Sequence, residues 1–541
     1  MWSTAYDMAK QLPERSCAPN GATAMTRLDV AIVLTYLGGL LVFSYILQRR
    51  RPRADVFLAG RTMGWFPIGL SVMITLFSAV NFVAFPTEVM AHGLYVLAAL
   101  PVFVLVAFPV TRWFIPFFYS MRLTSLYAYL ECRFDRRTRL LAAGWFIFWR
   151  LCWMATALYA SAHLLALITG WPLPVWLVAA GGVAAGYTAW GGIRTVMWTD
   201  VCQFALLMTG IGGALWWAIA TATPGAPGLW ATLHEHGRLQ PFYPFDPTFL
   251  SWRPTVRISL WSGLIGTFVA FLTRYGADQM VVQRYFTARD LGAAVRGFWW
   301  NVWAALAALL LLLGLGLVIT GGHTFDPDIP AMAAFGGFVR SLPFGLTGIV
   351  AAGLLAATMS SVDSGLNAAL AVWMTDFEGR TLTDGSARRY TARYRSLLTG
   401  LALATIGLAF AVSRIGDLFA IINRVINGIG SPLLALLLLA MFSKRCTATG
   451  AWWGGLIGTG AAVTISFGWE GLALHYYAVV NLLVTLAACL IVSAGPCRPG
   501  NRNGARYGDV TDWLSGKIKS LGPGTLWEHI KANEYGERQG G

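Results

Sequence analysis

Hydroxyl, carboxylate and amide side chains crowd into residues 357–367, in the middle of an apolar run that extends over 344–377. That run is long enough to cross a bilayer as a helix, which takes about 20 residues. Polar groups at membrane depth mark an ion or substrate path by default. Adjacent hydroxyls beside a freed backbone carbonyl predict a site for a hard monovalent cation such as sodium. Four residues recur at i, i+3, i+4 and i+7 and share one face of a helix: Ala357, Ser360, Ser361 and Ser364.

Composition places the chain in a membrane. Its 541 residues are 56% hydrophobic and 12% charged, whereas an ordinary soluble chain is about 25% charged. The apolar residues form separate blocks, which is the pattern of successive membrane helices. The net charge of +15 comes from Lys and Arg in short loops between these blocks. We therefore assign this charge to loops at the cytoplasmic face of a lipid bilayer and expect no nucleic-acid partner.

No sequence pattern indicates a cofactor or an enzyme. The cysteines are scattered without a metal-binding spacing. His234 and His236 flank Glu235 without a third ligand in view, and no GxxxxGK(S/T) phosphate loop is present. We expect no cofactor, no metal other than sodium and no catalysis. A channel would share the polar stretch, and a transporter-like sensor would normally carry a signalling domain, for which the tail is short.

The apolar segments predict an all-α integral membrane protein. Small and polar residues interrupt 64–90 and 257–276, which predicts discontinuous helices, because unwound backbone at membrane depth lines a cavity or is buried in protein. These segments open halves of five helices each, at about 64–221 and 257–442, the usual arrangement around a transporter's binding site. The thirteen predicted transmembrane helices lie near 29–48, 64–90, 95–119, 140–169, 174–190, 199–221, 257–276, 298–320, 344–378, 396–413, 417–442, 450–468 and 474–494.

Arginines follow alternate segments, and loops rich in cations face the cytoplasm. One such cluster is assigned to the loop after the seventh segment and contains Arg284, Arg289 and Arg296. The pattern places residues 1–28 outside, a transmembrane domain at 29–494 and a cytoplasmic tail at 495–541. A multi-pass protein of the inner or plasma membrane is predicted, with its N-terminus outside and its C-terminus in the cytoplasm.

Five motifs occur in a fixed order along the chain. They are FLAGR at 57–61, GGIR at 191–194 with WTDVCQ at 198–203, ADQ at 277–279 with VQRY at 282–285, the polar stretch at 357–367, and SPL at 431–433 with MF at 441–442 and KR at 444–445. Together they resemble the sodium/solute symporter family over about residues 29–494, with Ser431 where glycine is usual. The resemblance implies the leucine-transporter-type fold, a 5+5 inverted repeat with discontinuous helices.

The resemblance also implies a sodium site between the first broken helix and the polar helix. Its oxygens would be the carbonyls of Ile74, Phe77 and Ala357 and the hydroxyls of Ser360 and Ser361. A second cation position would use Asp200, Ser360, Asp363 and Ser364, with Asp363 where a hydroxyl is common. One of the two carboxylates could instead stay protonated. Asp200 could also be a helix-end anchor to Arg194 or to a neighbouring helix, and the two serines could bond back to their own helix.

Solute contacts are expected beside the broken helices. By position, the resemblance suggests Ser78, Asn81, Phe82, Phe271, Arg274, Tyr275, Asn423 and Asn427. Arg150 and Arg274 lie within or near apolar runs and are natural carboxylate partners. The alternative is that they pair with Glu88 or Asp417, or extend to an interface. The sequence FPTEV at 85–89 followed by HG at 92–93 resembles the monocarboxylate, iodide and multivitamin branch.

The predicted function is secondary active transport. Inward sodium movement would drive uptake of a small organic solute by alternating access, with a preference for an anion such as a monocarboxylate. Sugars, amino acids and sialic acid stay open as solutes, as does a channel or a sensor on the same fold. The solute, the number of sodium ions and the oligomeric state do not follow from the sequence.

Overall fold

The computed structural model describes residues 25–49, 56–222, 229–322, 329–379, 387–412, 424, 428–469 and 471–494. These residues form helices and turns, with no β-strand among them. The N-terminal residues before 25 and the predicted tail at 495–541 lie outside this part of the chain, as do Asn423 and Asn427. The all-helical class predicted from the sequence is confirmed.

The helices of the first half begin with a single apolar helix and continue with a broken one. They are α1 Arg27–Arg49, α2 Trp65–Leu76, α3 Ala79–His92, α4 Leu100–Pro109, α5 Ile115–Met121, α6 Ala128–Arg133, α7 Arg136–Thr169, α8 Leu173–Thr221 and α9 Leu229–Glu235. Helix α8 contains a kink at Gly192, whose φ of 62° favours glycine. This backbone turn lets the amide of Ile193 donate to the carbonyl of Val56 at 2.9 Å.

The second half contains another interrupted helix. Its helices are α10 Thr267–Gly276, α11 Gln279–Phe286, α12 Leu291–Gly322, α13 Ala331–Arg340, α14 Leu346–Val372, α15 Ala387–Val412, α16 Ile429–Phe442, α17 Ala448–Gly468 and α18 Tyr476–Ala494. Two π-helical turns extend this set, Ser262–Gly266 before α10 and Trp373–Phe377 after α14.

Eight helices in the described part are long and apolar enough to cross a membrane, and α2 with α3 makes a ninth, bent span. Two shorter apolar helices, Leu173–Ala189 and Ile429–Phe442, fall within predicted segments. The chain is therefore a multi-pass membrane protein, while the number of thirteen spans stays a prediction. Its orientation and the membrane it occupies also stay predictions.

Helix α14 is the central helix of the protein. Of its most apolar 18-residue window, 89% is buried inside the protein, against 17% for α1. It packs against α8, α7, α1 and α2. The polar stretch at 357–367 therefore faces protein on every side, one of the surroundings in which polar groups are tolerated at membrane depth.

The second interruption lies further along the sequence than predicted, after the segment 257–276 rather than within it. Helix α10 ends at Gly276, and residues 279–286 form the short helix α11, in which every residue is buried. The prediction that Arg284 belongs to a cytoplasmic loop is therefore wrong. Eight residues are too few to stand out as a helix in a hydropathy pattern, and their burial comes from the surrounding helices.

Close approach of α2 and α12 depends on glycine. A Cβ atom added to Gly69 would lie 2.5 Å from the carbonyl oxygen of Gly297. Small residues at membrane helix interfaces allow this kind of backbone contact. The first segment of the broken helix, α2, is thereby held against α12 in the second half of the protein.

We expect Gly69→Ala to destabilise the protein by about 1–3 kcal/mol, because the added methyl group forces the two backbones apart. Thermal unfolding of the purified protein in detergent measures the change. Gly212→Ala on α8 is the matched control, since nothing lies within 4 Å of its added Cβ, and it should be neutral or slightly stabilising. Equal unfolding temperatures for the two variants would contradict the assigned contact.

Candidate functional site

The first broken helix unwinds at Phe77 and Ser78. Phe77 has φ −90° and ψ 73°, which ends α2, and the Ser78 side chain caps α3 by accepting from the amide of Val80 at 3.2 Å. The two halves are bent by 60°. Because α2 ends here and α3 starts as a separate helix, the last carbonyl groups of α2 lack hydrogen-bond partners within their own helix.

Two of those carbonyls find side-chain donors. The Ser361 hydroxyl of α14 donates to the carbonyl of Thr75 at 2.9 Å. The Asn81 side chain of α3 donates to the carbonyl of Leu76 at 3.2 Å. The broken region is therefore hydrogen-bonded to α14 through Ser361 and to α3 through Asn81.

Two further carbonyls, those of Ile74 and Phe77, receive no hydrogen bond from any described residue. They are the backbone oxygens that the family resemblance assigns to sodium. Ser361, whose hydroxyl reaches the neighbouring carbonyl of Thr75, belongs to the same predicted ligand set, as does Ala357 one helical turn earlier. The structure thus brings the two sides of the predicted sodium site together, with two backbone oxygens available.

The serine hydroxyls of α14 point away from their own helix. Ser360 donates to Oδ1 of Asp200 at 2.5 Å, and Ser361 donates to α2. By contrast, the hydroxyl of Thr358 donates back to the carbonyl of Leu354 at 2.9 Å. The alternative in which Ser360 and Ser361 satisfy only their own backbone does not describe this arrangement.

Arg284 lies inside the predicted second cation position. Its guanidinium Nη2 is 3.3 Å from Oδ2 of Asp200 and 2.5 Å from the Ser364 hydroxyl. Its other contacts include the hydroxyls of Ser71 and Thr75, at 2.6 and 2.7 Å. Of the two anchors considered from sequence for Asp200, Arg194 or a neighbouring helix, the structure shows the second, because Asp200 pairs with Arg284 of α11. The VQR motif placed Arg284 in a recognisable position, but its side chain reaches the site only through the fold of α11.

Asp363 is the second carboxylate of this cluster. Its Oδ2 accepts from the Tyr187 hydroxyl, and its Oδ1 lies 3.1 Å from the Ser364 hydroxyl. Asp200, Asp363 and Arg284 are all fully buried. Two carboxylates and one guanidinium share a small space from which water is excluded, so each depends on the others for charge compensation.

A cavity borders the break in the first discontinuous helix and lies against α10, the helix that precedes the second break. Its empty space, counted together with its open mouth, is about 830 Å³. Apolar side chains form most of its wall, including Phe77, Phe103 and Leu309. The polar side chains that line it are Asn81, Thr267, Arg274, Tyr275, Asn301 and His475.

The predicted solute residues divide into two groups. Asn81, Phe271, Arg274 and Tyr275 line this cavity. Ser78 serves as a helix cap, and Phe82 packs against Phe335 with ring centroids 6.0 Å apart. Asn301, Thr267 and His475 were not identified from sequence, because single polar residues within apolar helices carry no signal of which face they occupy.

The two arginines predicted as carboxylate partners, Arg150 and Arg274, also have different surroundings. Arg150 forms a buried ion pair with Asp278, the residue that caps α11 by accepting from the amide of Met280 at 2.9 Å. The guanidinium of Arg274 lies over Trp153, 5.3 Å from the ring centroid, and lines the cavity. Glu88, proposed from sequence as a partner for either arginine, pairs with Arg257 instead.

The sequence profile of the sodium:solute symporter family matches residues 56–458, which contain both breaks and the polar stretch of α14.

The chain belongs to the sodium:solute symporter family.

Relatives within this family include the sodium-dependent multivitamin transporter of Oryctolagus cuniculus, 31% identical over 430 residues, which cover 77% of this chain and 65% of that transporter. Sodium-coupled monocarboxylate transporter 1 of Xenopus laevis is 29% identical over 439 residues, covering 78% of this chain and 68% of that protein. The relatives are transporters, so the chain is a membrane transporter of this family and not an enzyme.

A solved Na⁺-coupled sialic acid symporter in a substrate-bound outward-open state has a similar structure. Its TM-score is 0.78 at 22% identity, covering 86% of this chain and 98% of that one. The likeness confirms the leucine-transporter-type fold with its inverted repeat and discontinuous helices.

We expect Arg284→Gln to destabilise this symporter by about 3–5 kcal/mol, because it leaves two buried carboxylates without a positive charge. Thermal unfolding in detergent measures the loss. Adding Asp363→Asn to that variant should recover a large part of it. Arg289→Gln, at a side chain 57% exposed, is the control and should change little. A midpoint for Arg284→Gln equal to that of this control would contradict the charge balance.

Proposed function

We propose that this symporter couples inward sodium movement to uptake of a small organic anion, such as a monocarboxylate, by alternating access. One observation carries the proposal: a cavity bounded by apolar side chains lies between the first helix break and α10 and holds Arg274 in its wall. Arginine recognises a carboxylate by paired, charge-assisted hydrogen bonds. The low-dielectric wall strengthens that attraction relative to water.

The start of α3 adds a second attraction for an anion. Ser78 caps this helix in the middle of the bent span, and Phe77 and Asn81 on either side of the cap belong to the cavity wall. Helix N-termini carry partial positive charge and bind anions. At the corresponding end of α11, the carboxylate of Asp278 already occupies the helix N-terminus and is paired with Arg150. This asymmetry favours placing the anionic group near α3 and Arg274.

Sodium is proposed to bind at the first break. Its ligands would be the carbonyls of Ile74, Phe77 and Ala357 and the hydroxyls of Ser360 and Ser361. Support comes from the two carbonyls that receive no hydrogen bond from described residues and from the hydroxyls that α14 directs away from itself. Because Phe77 belongs to both the proposed ion site and the cavity, a bound sodium would fix the wall that the solute contacts.

The coupling proposed here is one sodium with one monovalent anion. The second cation position, at Asp200, Ser360, Asp363 and Ser364, stays a prediction, and Arg284 already supplies a positive charge there. Such a cycle moves no net charge, so the sodium concentration gradient alone would drive accumulation. We further propose the predicted orientation in the inner or plasma membrane, with the N-terminus outside and the tail in the cytoplasm.

The relatives support an organic anion without naming it. They include a sodium-dependent multivitamin transporter and a sodium-coupled monocarboxylate transporter. Sugars, amino acids and sialic acid are the competing solutes, and a thermal-shift screen of each class with and without sodium distinguishes them. A channel on this fold would pass sodium or solute without either depending on the other.

We expect Ser361→Ala to weaken the apparent sodium affinity of solute uptake about tenfold, because one charge-assisted contact of roughly 1.5–3 kcal/mol is lost. Sodium titration of uptake into proteoliposomes measures this. Thr358→Val is the matched control, since that hydroxyl bonds only within α14. An unchanged sodium affinity in Ser361→Ala would remove this serine from the ion site.

We expect Arg274→Gln to reduce the affinity for a carboxylate solute about 10–100-fold, the loss typical of a charged hydrogen bond. The measured quantity is the concentration dependence of sodium-driven uptake for the best carboxylate found in the screen. Arg274→Lys should retain part of the affinity, and Arg340→Gln, at an exposed position, should retain all of it. Equal affinities in Arg274→Gln and wild type would overturn the anion assignment.

A further inference from the structure

Two buried polar atoms in the wall of the cavity lack hydrogen-bond partners among the described residues. They are Oδ1 of Asn301 on α12 and Oγ1 of Thr267 at the start of α10. Both residues line the same cavity as Arg274. Buried polar atoms in native proteins are almost always satisfied, so each exception needs an explanation.

Asn301 is held in place by its neighbour. Its Nδ2 lies 3.3 Å from the hydroxyl of Tyr275, which is itself buried beside Arg274. The rest of the Asn301 side chain is 1% exposed. With one end of the amide fixed on Tyr275, the other end remains for a group inside the cavity. Whichever way the amide is oriented, a hydroxyl can satisfy that end, because a hydroxyl both donates and accepts.

Thr267 differs from Thr273 and Thr320, which also lie in the described helices. Threonine hydroxyls in helices commonly donate to the carbonyl four residues earlier, and Thr273 and Thr320 do so at 2.8 and 2.9 Å. Thr267 directly follows the π-helical turn Ser262–Gly266, and its hydroxyl has no such partner among the described residues. π-helical turns occur frequently at functional sites. The Thr267 hydroxyl is therefore available to a group in the cavity.

We propose that the cavity recognises a hydroxycarboxylate. The carboxylate would pair with Arg274, the hydroxyl would bond to Asn301 with Thr267 as a further hydroxyl-binding group, and the carbon skeleton would contact the apolar wall. This inference rests on the proposed function and narrows its solute class. A site built to bond a hydroxyl discriminates against the analogue that lacks it, because that analogue leaves buried polar groups unpaired.

The test compares acids that differ only by a hydroxyl group. Sodium-driven uptake into proteoliposomes is measured for L-lactate against propionate and for 3-hydroxybutyrate against butyrate. In wild type we expect at least one hydroxy acid to be preferred tenfold or more over its partner in kcat/KM. Asn301→Leu, of similar size, should lower that preference at least fivefold, because the hydroxyl then meets an apolar side chain.

Thr267→Val provides a second variant that keeps the proposal testable if Asn301→Leu does not fold. It should also lower the preference, whereas Thr320→Val on α12, whose hydroxyl bonds within its own helix, should leave the preference unchanged. Equal uptake of each acid pair by wild type, or an unchanged preference in Asn301→Leu and Thr267→Val, would overturn the hydroxyl assignment alone.

The same assay separates this result from failure of the proposed function. If sodium drives uptake of all four acids equally and Arg274→Gln abolishes it, the anion proposal stands and the hydroxyl assignment fails. If sodium drives uptake of none of the four acids, the hydroxycarboxylate assignment is overturned. If neutral solutes alone are driven by sodium, both proposals are overturned.

Discussion

The rest of the structure depends on how a helix can be interrupted in the middle of a membrane. Lipid offers no hydrogen bonds, so carbonyls released at Phe77 must find partners within the protein. Ser361 from α14 and Asn81 from α3 satisfy two of them. The remaining oxygens define a place where a small cation would complete the set. One unwound residue therefore connects the fold, the proposed ion site and the wall of the solute cavity.

The second break is stabilised by charge. Asp278 caps α11 and pairs with Arg150, while Arg284 on the same short helix reaches Asp200 across to α8. Both ion pairs are buried, so removing one partner leaves a charge that neither water nor lipid can stabilise. Ion pairs near both ends of α11 stabilise the second break, whereas mainly neutral hydrogen bonds stabilise the first break. Two halves with related topology thus use different chemistry at equivalent interruptions.

Residue type and spacing predicted several side-chain arrangements that the structure contains. Ser360 and Ser361 share a helix face by simple periodicity, and the structure directs both toward other helices. Arg274 was identified by its position in an apolar segment and lines the cavity. Arg284, assigned from its charge to a cytoplasmic loop, instead lies fully buried beside Asp200. Counting cations cannot distinguish a solvated arginine from one compensated by a distant carboxylate.

The sequence by itself determined that this is a helical membrane protein, which family it resembles and which helix carries the polar face. These properties depend on composition, on the local period of polar residues and on the order of motifs, all of which can be read without knowing which helices are in contact. Only the tertiary structure decided that Arg150 pairs with Asp278, that Arg284 enters the carboxylate cluster and that Asn301 shares a cavity with Arg274. Those residues are separated by tens or hundreds of positions, and their partners are fixed by helix packing, which no local pattern records.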